Sequence, residues 1–589
     1  MLGTDSPHTT ETTPQAGERG SVRLRALAAG AVLTILMLGL LGRLVHLQII
    51  EKDRFKKLSH QQQTVDRSLA GRRGDISDRA GRLLATSVPR WIIFVDPAVI
   101  EDPEKVGILL ARSLHVDEAD LLRKLGRDSR FAWVKRQVPN AEAERVRSFG
   151  LRGVHFRREY HRLYPPTRLL GHVVGFTDID GRGLSGAELR FDRLLRSSAG
   201  REQVLRDALG RVIRRPGDEP FQRPEDGHDI ELTVDAYVQN IARKALARQV
   251  ERHEPDSAWA VVMDTRTGAI LAMVNWPEFD PNVPAETGPA SRRNRILTDA
   301  YEFGSVLKPI TAAAALQEGL VKPDTEFQCH NGAWRVGSRV VHDVHGYDRL
   351  SVTDIVVHSS NIGIAQIGLK LGTKRFHRAL RRFGFGRLSG INLPGEVSGI
   401  LRPEERWNKH SLISIAFGQE IATTPLSVVC AFTALANDGL LLRPRIVQRV
   451  ISSETGQVAW ELKKRQVIRR AVSSKTAAQV LDMLRKVVSE GTGRRVQLDN
   501  YPVAGKTGTA SLPREDGRGY SNRYLASFIG VAPADDPRLV VLVSLKAPTK
   551  GSHYGGTVAG PACRTILQKT LRYLNVPERP PQNAVAEAE

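Results

Sequence analysis

Trp259-Ala260-Val261-Val262-Met263, the turn Thr265-Arg266-Thr267-Gly268, and Ile270-Leu271-Ala272-Met273-Val274 decide the fold. Two apolar runs around a polar turn that ends in glycine predict a buried β-hairpin. A second hairpin is expected near the far end of the chain, with strands Tyr524 to Val531 and Leu539 to Leu545 around Ala534-Asp535-Asp536-Pro537. Between the hairpins most segments have helical apolar spacing with Pro and Gly breaks, and helices are predicted over Ala236 to Arg252 and Gly560 to Leu574. Strands at both ends with helices between them predict an α+β domain, an antiparallel sheet flanked by helices.

Upstream the texture changes at Pro216 to Gly227, which is rich in Pro, Gly and charge and reads as a domain boundary. Before it lie a Gly- and Arg-rich stretch at Gly71 to Ala85, an expected strand at Trp91 to Val95, and expected helices at Pro103 to Leu114 and Asp117 to Leu125. Ala26 to Gly42 carry no charge, and apolar residues continue to Ile50, which is long enough to cross a bilayer. No small-x-small cleavage site follows, so an uncleaved anchor is favoured over a signal peptide. Lys and Arg counts on either side do not orient it. The expected plan is a disordered cytoplasmic tail over 1–25, a transmembrane anchor over 26–50, an N-terminal domain over 51–225, a C-terminal domain over 226–576, and a disordered tail over 577–589.

The 589 residues are too many for one ordinary domain, and 41% hydrophobic content is enough for a core without covalent staples. The net charge of +22 comes mostly from dispersed arginine. With no basic block interleaved with aromatics, nucleic acid is not indicated as a partner. A solvated basic surface, or attraction to anionic lipid or acidic wall polymer, accounts for the charge. The three cysteines, Cys329, Cys430 and Cys563, form no disulfide framework and no Cys-x-x-Cys pair, and Cys430 reads as a small buried hydrophobe. His342-Asp343-Val344-His345 reads as a polar loop, and no metal is expected.

Three short segments within the second domain carry chemistry. Ser305-Val306-Leu307-Lys308 opens an apolar helix, with the lysine one turn from the serine and on the same face. A buried ammonium tends to lose its proton, and a neutral lysine beside a hydroxyl is a suitable general base. Taken alone, the segment could equally be a capping serine and a snorkelling lysine. Ser359-Ser360-Asn361 offers a hydroxyl to relay a proton and an amide to orient neighbours; alone, it reads as a helix end. Lys506-Thr507-Gly508-Thr509 is expected on a strand, with the cation facing a terminal carboxylate and the glycine letting a substrate backbone approach. Backbone N–H groups of Ser305 and Thr509 are the expected oxyanion donors.

Ser-x-x-Lys, a Ser-x-Asn-like element and Lys-Thr-Gly in this order form the signature of penicillin-binding proteins and serine β-lactamases. The chain resembles class B penicillin-binding proteins, especially the FtsI-type division transpeptidases. The likeness extends to Arg73-Gly74 through Asp78-Arg79, Gly81 and Leu84-Ala85, and to Arg162-Leu163-Tyr164-Pro165, Gly175 and Gly183 to Glu188. It continues at Tyr301 to Ser305, Phe417-Gly418-Gln419, Thr424-Pro425-Leu426 and Tyr554-Gly555-Gly556. Phe303 stands where the family usually has proline, and Glu420 where it often has glycine.

The resemblance implies a pedestal over 51–225, a transpeptidase domain over 226–576, and an acyl-enzyme at Ser305 formed on peptidoglycan stem peptides ending in D-Ala-D-Ala. Lys308 would be the base, Ser359 the relay and Asn361 an orienter, with Lys506, Thr507, Gly508 and Thr509 binding the substrate end. It implies no cofactor, inhibition by β-lactams, an extracytoplasmic catalytic domain, and a polytopic glycan polymerase with other division proteins as partners. A D,D-carboxypeptidase side reaction is compatible with it. The rival readings are an elongation-type transpeptidase, a membrane-bound β-lactam sensor or β-lactamase, and an inactive division scaffold.

Overall fold

The computed structural model describes residues 16–206, 212–214, 222–514, 516 and 519–579. Of the tails expected over 1–25 and 577–589, residues 1–15 and 580–589 lie outside the described residues. Residues 16–25, expected to be part of the disordered tail, are already helical.

The α+β expectation holds. The central sheet contains β1 (Ser257–Asp264), β2 (Ile270–Trp276), β3 (Ala504–Pro513), β4 (Tyr520–Ala532) and β5 (Leu539–Lys546). Their order is β2-β1-β5-β4-β3 and every pairing is antiparallel. Successive residues of β1 face opposite sides, as strand geometry requires. Trp259, Val261 and Met263 join a core containing Ile310 and Val428, whereas Ala258, Ala260 and Val262 join one containing Val238, Leu246, Ile566 and Leu567. The first core is built under the helix Lys308–Gln317 (α2), the second under Ala236–His253 (α1) and Gly560–Tyr573 (α4). Helix cover on both faces explains why β1 reads as an unbroken apolar run rather than an alternating one. The predicted helix at Asp117 starts one residue later, at Glu118, because the Asp117 side chain caps it by accepting from Asp120 N–H.

A second sheet joins strands from widely separated parts of the chain. Its order is Val458–Glu461, Val447–Ile451, Asp229–Leu232, Ile76–Ser77, Leu83–Val95 and Ala132–Val138, with Val154–Leu163 also paired to Leu83–Val95. Ile76–Ser77 runs parallel to Ile230–Glu231. Through this sheet, residues 70–198 and 225–589 form one compact unit.

Residues 1–69 and 199–224 form the other unit. Within it, Ala16–Val45 is α-helical and His46–Ile50 a π-helical turn. Ser21–Ile50 is the one stretch among the described residues with the length and apolarity to cross a membrane. Strand Thr64–Leu69 pairs antiparallel with Gly200–Arg206.

The Arg- and Gly-rich elements upstream of the boundary meet in a buried ionic cluster. Glu188, fully buried, accepts from Arg73 Nε and Arg162 Nε, each at 2.7 Å, and Arg73 Nη1 also donates to Asp192 at 2.7 Å. Removing one partner of such a cluster strands the others without countercharge. Glu188→Gln should therefore destabilise the protein by roughly 3–5 kcal/mol. Thermal unfolding would show it, and a cost within about 0.5 kcal/mol, typical of surface changes, would mean that water replaces the carboxylate.

Candidate active site

Gly304–Leu307 forms a short 3-10 turn that runs into α2. The apolar face from Ile310 to Ala315 sinks this helix into the core and takes Lys308 with it, so that Lys308 is fully buried while Ser305 stays half-buried at the wall of a cleft. Pro309 fits because the first turn of a helix needs no N–H there.

Three oxygens surround the Lys308 amine. Nζ donates to the Ser359 carbonyl and to Asn361 Oδ1 at 2.7 Å, and lies 3.2 Å from Ser359 Oγ, whose hydroxyl can meet its lone pair. Lys506, also fully buried, donates from Nζ to the same Ser359 Oγ at 3.0 Å and to Thr507 O at 3.3 Å. Ser359 sits between two helices, Val352–Val357 and Asn361–Arg382 (α3), with φ at +61°. A left-handed backbone at a non-glycine residue costs on the order of 1–3 kcal/mol. Here it lets the hydroxyl and carbonyl of one residue face the same amine.

Burial sets the protonation of the pair. Desolvation, followed by repulsion from Lys506, holds Lys308 well below the ordinary lysine range, and the Asp343 carboxylate opposes the shift only in part. Desolvation lowers Lys506 to about 7. Two cations cannot share one hydroxyl cheaply in this interior. The downward shift is the larger on Lys308, so of the two amines it gives up its proton first and has a lone pair for a hydroxyl proton.

Asp343 organises the second segment. It accepts from the backbone N–H groups of Asn361 and, at 3.1 Å, Ile362, and from Ser360 Oγ at 2.6 Å. Ser360 Oγ in turn caps α3 by accepting from Gly363 N–H at 2.9 Å. Asn361 Nδ2 donates to His342 O at 2.8 Å, which turns its Oδ1 toward Lys308. A carboxylate at the N-terminus of α3 is favourable, and this one fixes the asparagine as well. Sequence reasoning missed it because its contacts lie 17 to 19 residues away and follow no motif spacing.

The third segment lies on β3, an edge strand of the central sheet, as expected. Thr507 and Thr509 line the cleft. Thr507 Oγ1 is 2.9 Å from Thr492 Oγ1, and Thr509 Oγ1 accepts from Gly555 N–H at 3.1 Å. Gly508 departs from expectation. A Cβ there would lie 2.5 Å from Val306 Cγ2 and 2.9 Å from Phe303 O. The space expected for a substrate backbone is filled by the segment carrying Ser305, and the glycine lets that segment pack on the strand.

The cleft has a volume of about 790 Å³. Besides Ser305, Ser359, Asn361, Thr507 and Thr509, its wall includes Arg339, His342, His345, His358, Arg494 and Arg495, and no Asp or Glu among the described residues. The two unusual residues noted in the sequence lie beside the cleft. Phe303 is buried. Glu420 has φ at +57°, a conformation that favours glycine. Its carboxylate pairs with Arg402, and its N–H donates to Glu302 at 2.9 Å.

The model of the penicillin binding protein transpeptidase domain matches residues 258–568, and that of the penicillin-binding protein dimerisation domain matches residues 68–232. A probable peptidoglycan D,D-transpeptidase PenA of Neisseria meningitidis is 35% identical over 558 residues, covering 94% of this chain and 93% of the relative. The peptidoglycan D,D-transpeptidase FtsI of Escherichia coli is 31% identical over 559 residues, covering 94% and 92%. A crystal structure of a Mycobacterium penicillin-binding protein 3 complexed with ampicillin superposes with a TM-score of 0.68 at 26% identity, covering 88% of this chain and 98% of that one. The chain thus belongs to the penicillin-binding protein family and carries its dimerisation and transpeptidase domains, the latter a serine-type acyltransferase.

Proposed function

We propose that this protein crosslinks peptidoglycan stem peptides during septal wall synthesis through an acyl-enzyme on Ser305. The observation that carries this reading is the pair of buried amines on Ser359 Oγ, at 3.2 and 3.0 Å, beside a serine open to the cleft. Ser305 Oγ attacks the carbonyl of the penultimate D-alanine and its proton passes to neutral Lys308. The backbone N–H groups of Ser305 and Thr509 receive the oxyanion. The C–N bond breaks, and the leaving D-alanine takes its proton from Lys308 through Ser359, while Asn361 holds Lys308 and the peptide in register. Lys506, Thr507 and Thr509 bind the terminal carboxylate from the β3 edge, with Gly508 shaping that edge. An amine from a second stem then attacks the ester, forming the crosslink and regenerating Ser305.

Residues 26–50 would anchor the enzyme, with 51–225 as pedestal and 226–576 as an extracytoplasmic transpeptidase domain. A polytopic glycan polymerase and other division proteins would act beside it. The motif likeness to FtsI-type division transpeptidases supports the division role, and the ampicillin complex of the Mycobacterium protein supports β-lactam binding.

A cleft wall without a carboxylate among the described residues favours synthase over β-lactamase, because an Asp or Glu side chain there would be the group to activate water. Fluorescent penicillin tests this on the membrane-bound protein. The expected adduct survives a chase with unlabelled drug. Rapid release would identify a β-lactamase, and absence of an adduct in folded protein an inactive scaffold.

A further inference from the structure

The cleft carries more positive charge than one terminal carboxylate requires. Lys506 already serves that carboxylate in the reading above, on which this inference rests. Arg494 and Arg495 stand on the cleft wall, exposed, on a short turn whose next residue, Val496, is fully buried. The turn is tied to β3 by the contact of Thr492 with Thr507 at 2.9 Å. Among the described residues, neither arginine side chain has an ion pair or a hydrogen bond. A third, Arg339, also lines the cleft; its Nη1 donates to Ser414 Oγ at 2.7 Å, and its guanidinium lies 5.7 Å from the Phe417 ring centre.

Several arginines elsewhere are paired with carboxylates. Arg136 pairs with Glu159 and Asp180, Arg243 with Glu278, and Arg449 with Glu231. Adjacent guanidiniums without a countercharge, on a cleft wall that holds no carboxylate among the described residues, repel one another, and an anionic ligand relieves this. Guanidinium groups bind carboxylates through paired N–H donors, so they suit acidic side chains on an extended peptide.

We infer that Arg494 and Arg495, with Arg339, form a second carboxylate-reading site, which binds acidic side chains of the donor stem upstream of its D-Ala-D-Ala end. Amidation of those side chains would then make a poorer donor. The three arginines determine specificity and take no part in proton transfer.

The test uses the full-length protein in detergent and two synthetic esters ending in D-Ala-D-lactate. One has two free upstream carboxylates and the other has carboxamides in their place. D-lactate release gives kcat/KM for each, and the readout is their ratio within one preparation, so that a partial folding defect cancels. The acidic ester should be preferred by about tenfold at low salt, as two or three partly exposed ion pairs allow. The ratio should fall toward one in Arg494→Gln/Arg495→Gln and invert in Arg494→Glu/Arg495→Glu. A wild-type ratio near one, or a preference that survives both variants, overturns the inference. If penicillin labels Ser305 but neither ester releases D-lactate, the donor reading itself fails, and the inference with it.

Discussion

A Ser305→Ala protein should fold normally, partition with the membrane and take up no fluorescent penicillin. Ser305 is a cleft hydroxyl on the turn that leads to Lys308. Ser359, another cleft serine, is held between two amines that would have to move before it could attack. Loss of a nucleophile typically costs on the order of 10⁴-fold or more, and residual turnover comes from binding and oxyanion stabilisation. The Ser305 side chain has no hydrogen bond among the described residues and is half-buried, so stability should change by less than about 1 kcal/mol. Labelled alanine variant would move the nucleophile elsewhere and dismantle the proposed mechanism.

Lys308→Met should separate stability from activity. The native amine is desolvated and kept short of protons, a cost that an apolar side chain of similar length does not carry. The variant should unfold with a free energy higher by about 1 kcal/mol or more, even though Ser359 O and Asn361 Oδ1 lose a donor. Its acylation by penicillin should fall by roughly 10³-fold, the usual scale for a lost general base. In the native protein the acylation rate should rise with pH as Lys308 sheds its proton, then fall above about 7 as Lys506 becomes neutral. The rising limb should vanish in the variant.

Stability has its own pH dependence. Both lysines have lowered values in the folded state, so between those values and the ordinary 10.5 the unfolded chain binds more protons. Native stability should therefore rise with pH across that window, from about 7 upward for Lys506, and less steeply in Lys308→Met. Chemical denaturation at several pH values measures both slopes. A variant less stable than the native protein at neutral pH would show that the Lys308 hydrogen bonds outweigh its burial.

Legibility followed sequence range. The hairpin at 259–274 could be read because side-chain burial in a strand repeats locally. Ser305 and Lys308 could be placed on one face because helical geometry fixes what lies one turn away. Lys506 to Thr509 could be placed on a strand, but the direction in which Gly508 faces depends on Val306, which approaches from a distant part of the chain. Asp343 could not be assigned, since nothing within a few residues of it announces the N-terminus of α3. The helix at 16–25 was hidden by its polar, Gly-containing sequence, because propensity there is weak and the apolar residues that follow extend the helix backward. The parallel pairing of Ile76–Ser77 with Ile230–Glu231 has no local trace at all.

That pairing has a mechanical consequence. Ile230 N–H donates to Asp75 O at 2.8 Å, Arg79 N–H to Val234 O at 3.0 Å, and Gly227 N–H to Arg72 O at 2.9 Å, so the seam is stitched by backbone along its length. A seam of this kind resists shear as a sheet does and offers no pivot. Torque applied to Leu83–Val95 reaches Val447–Ile451 through two intervening strands, and an excised fragment starting at residue 226 would present the bare flank of Asp229–Leu232 as a template for aggregation.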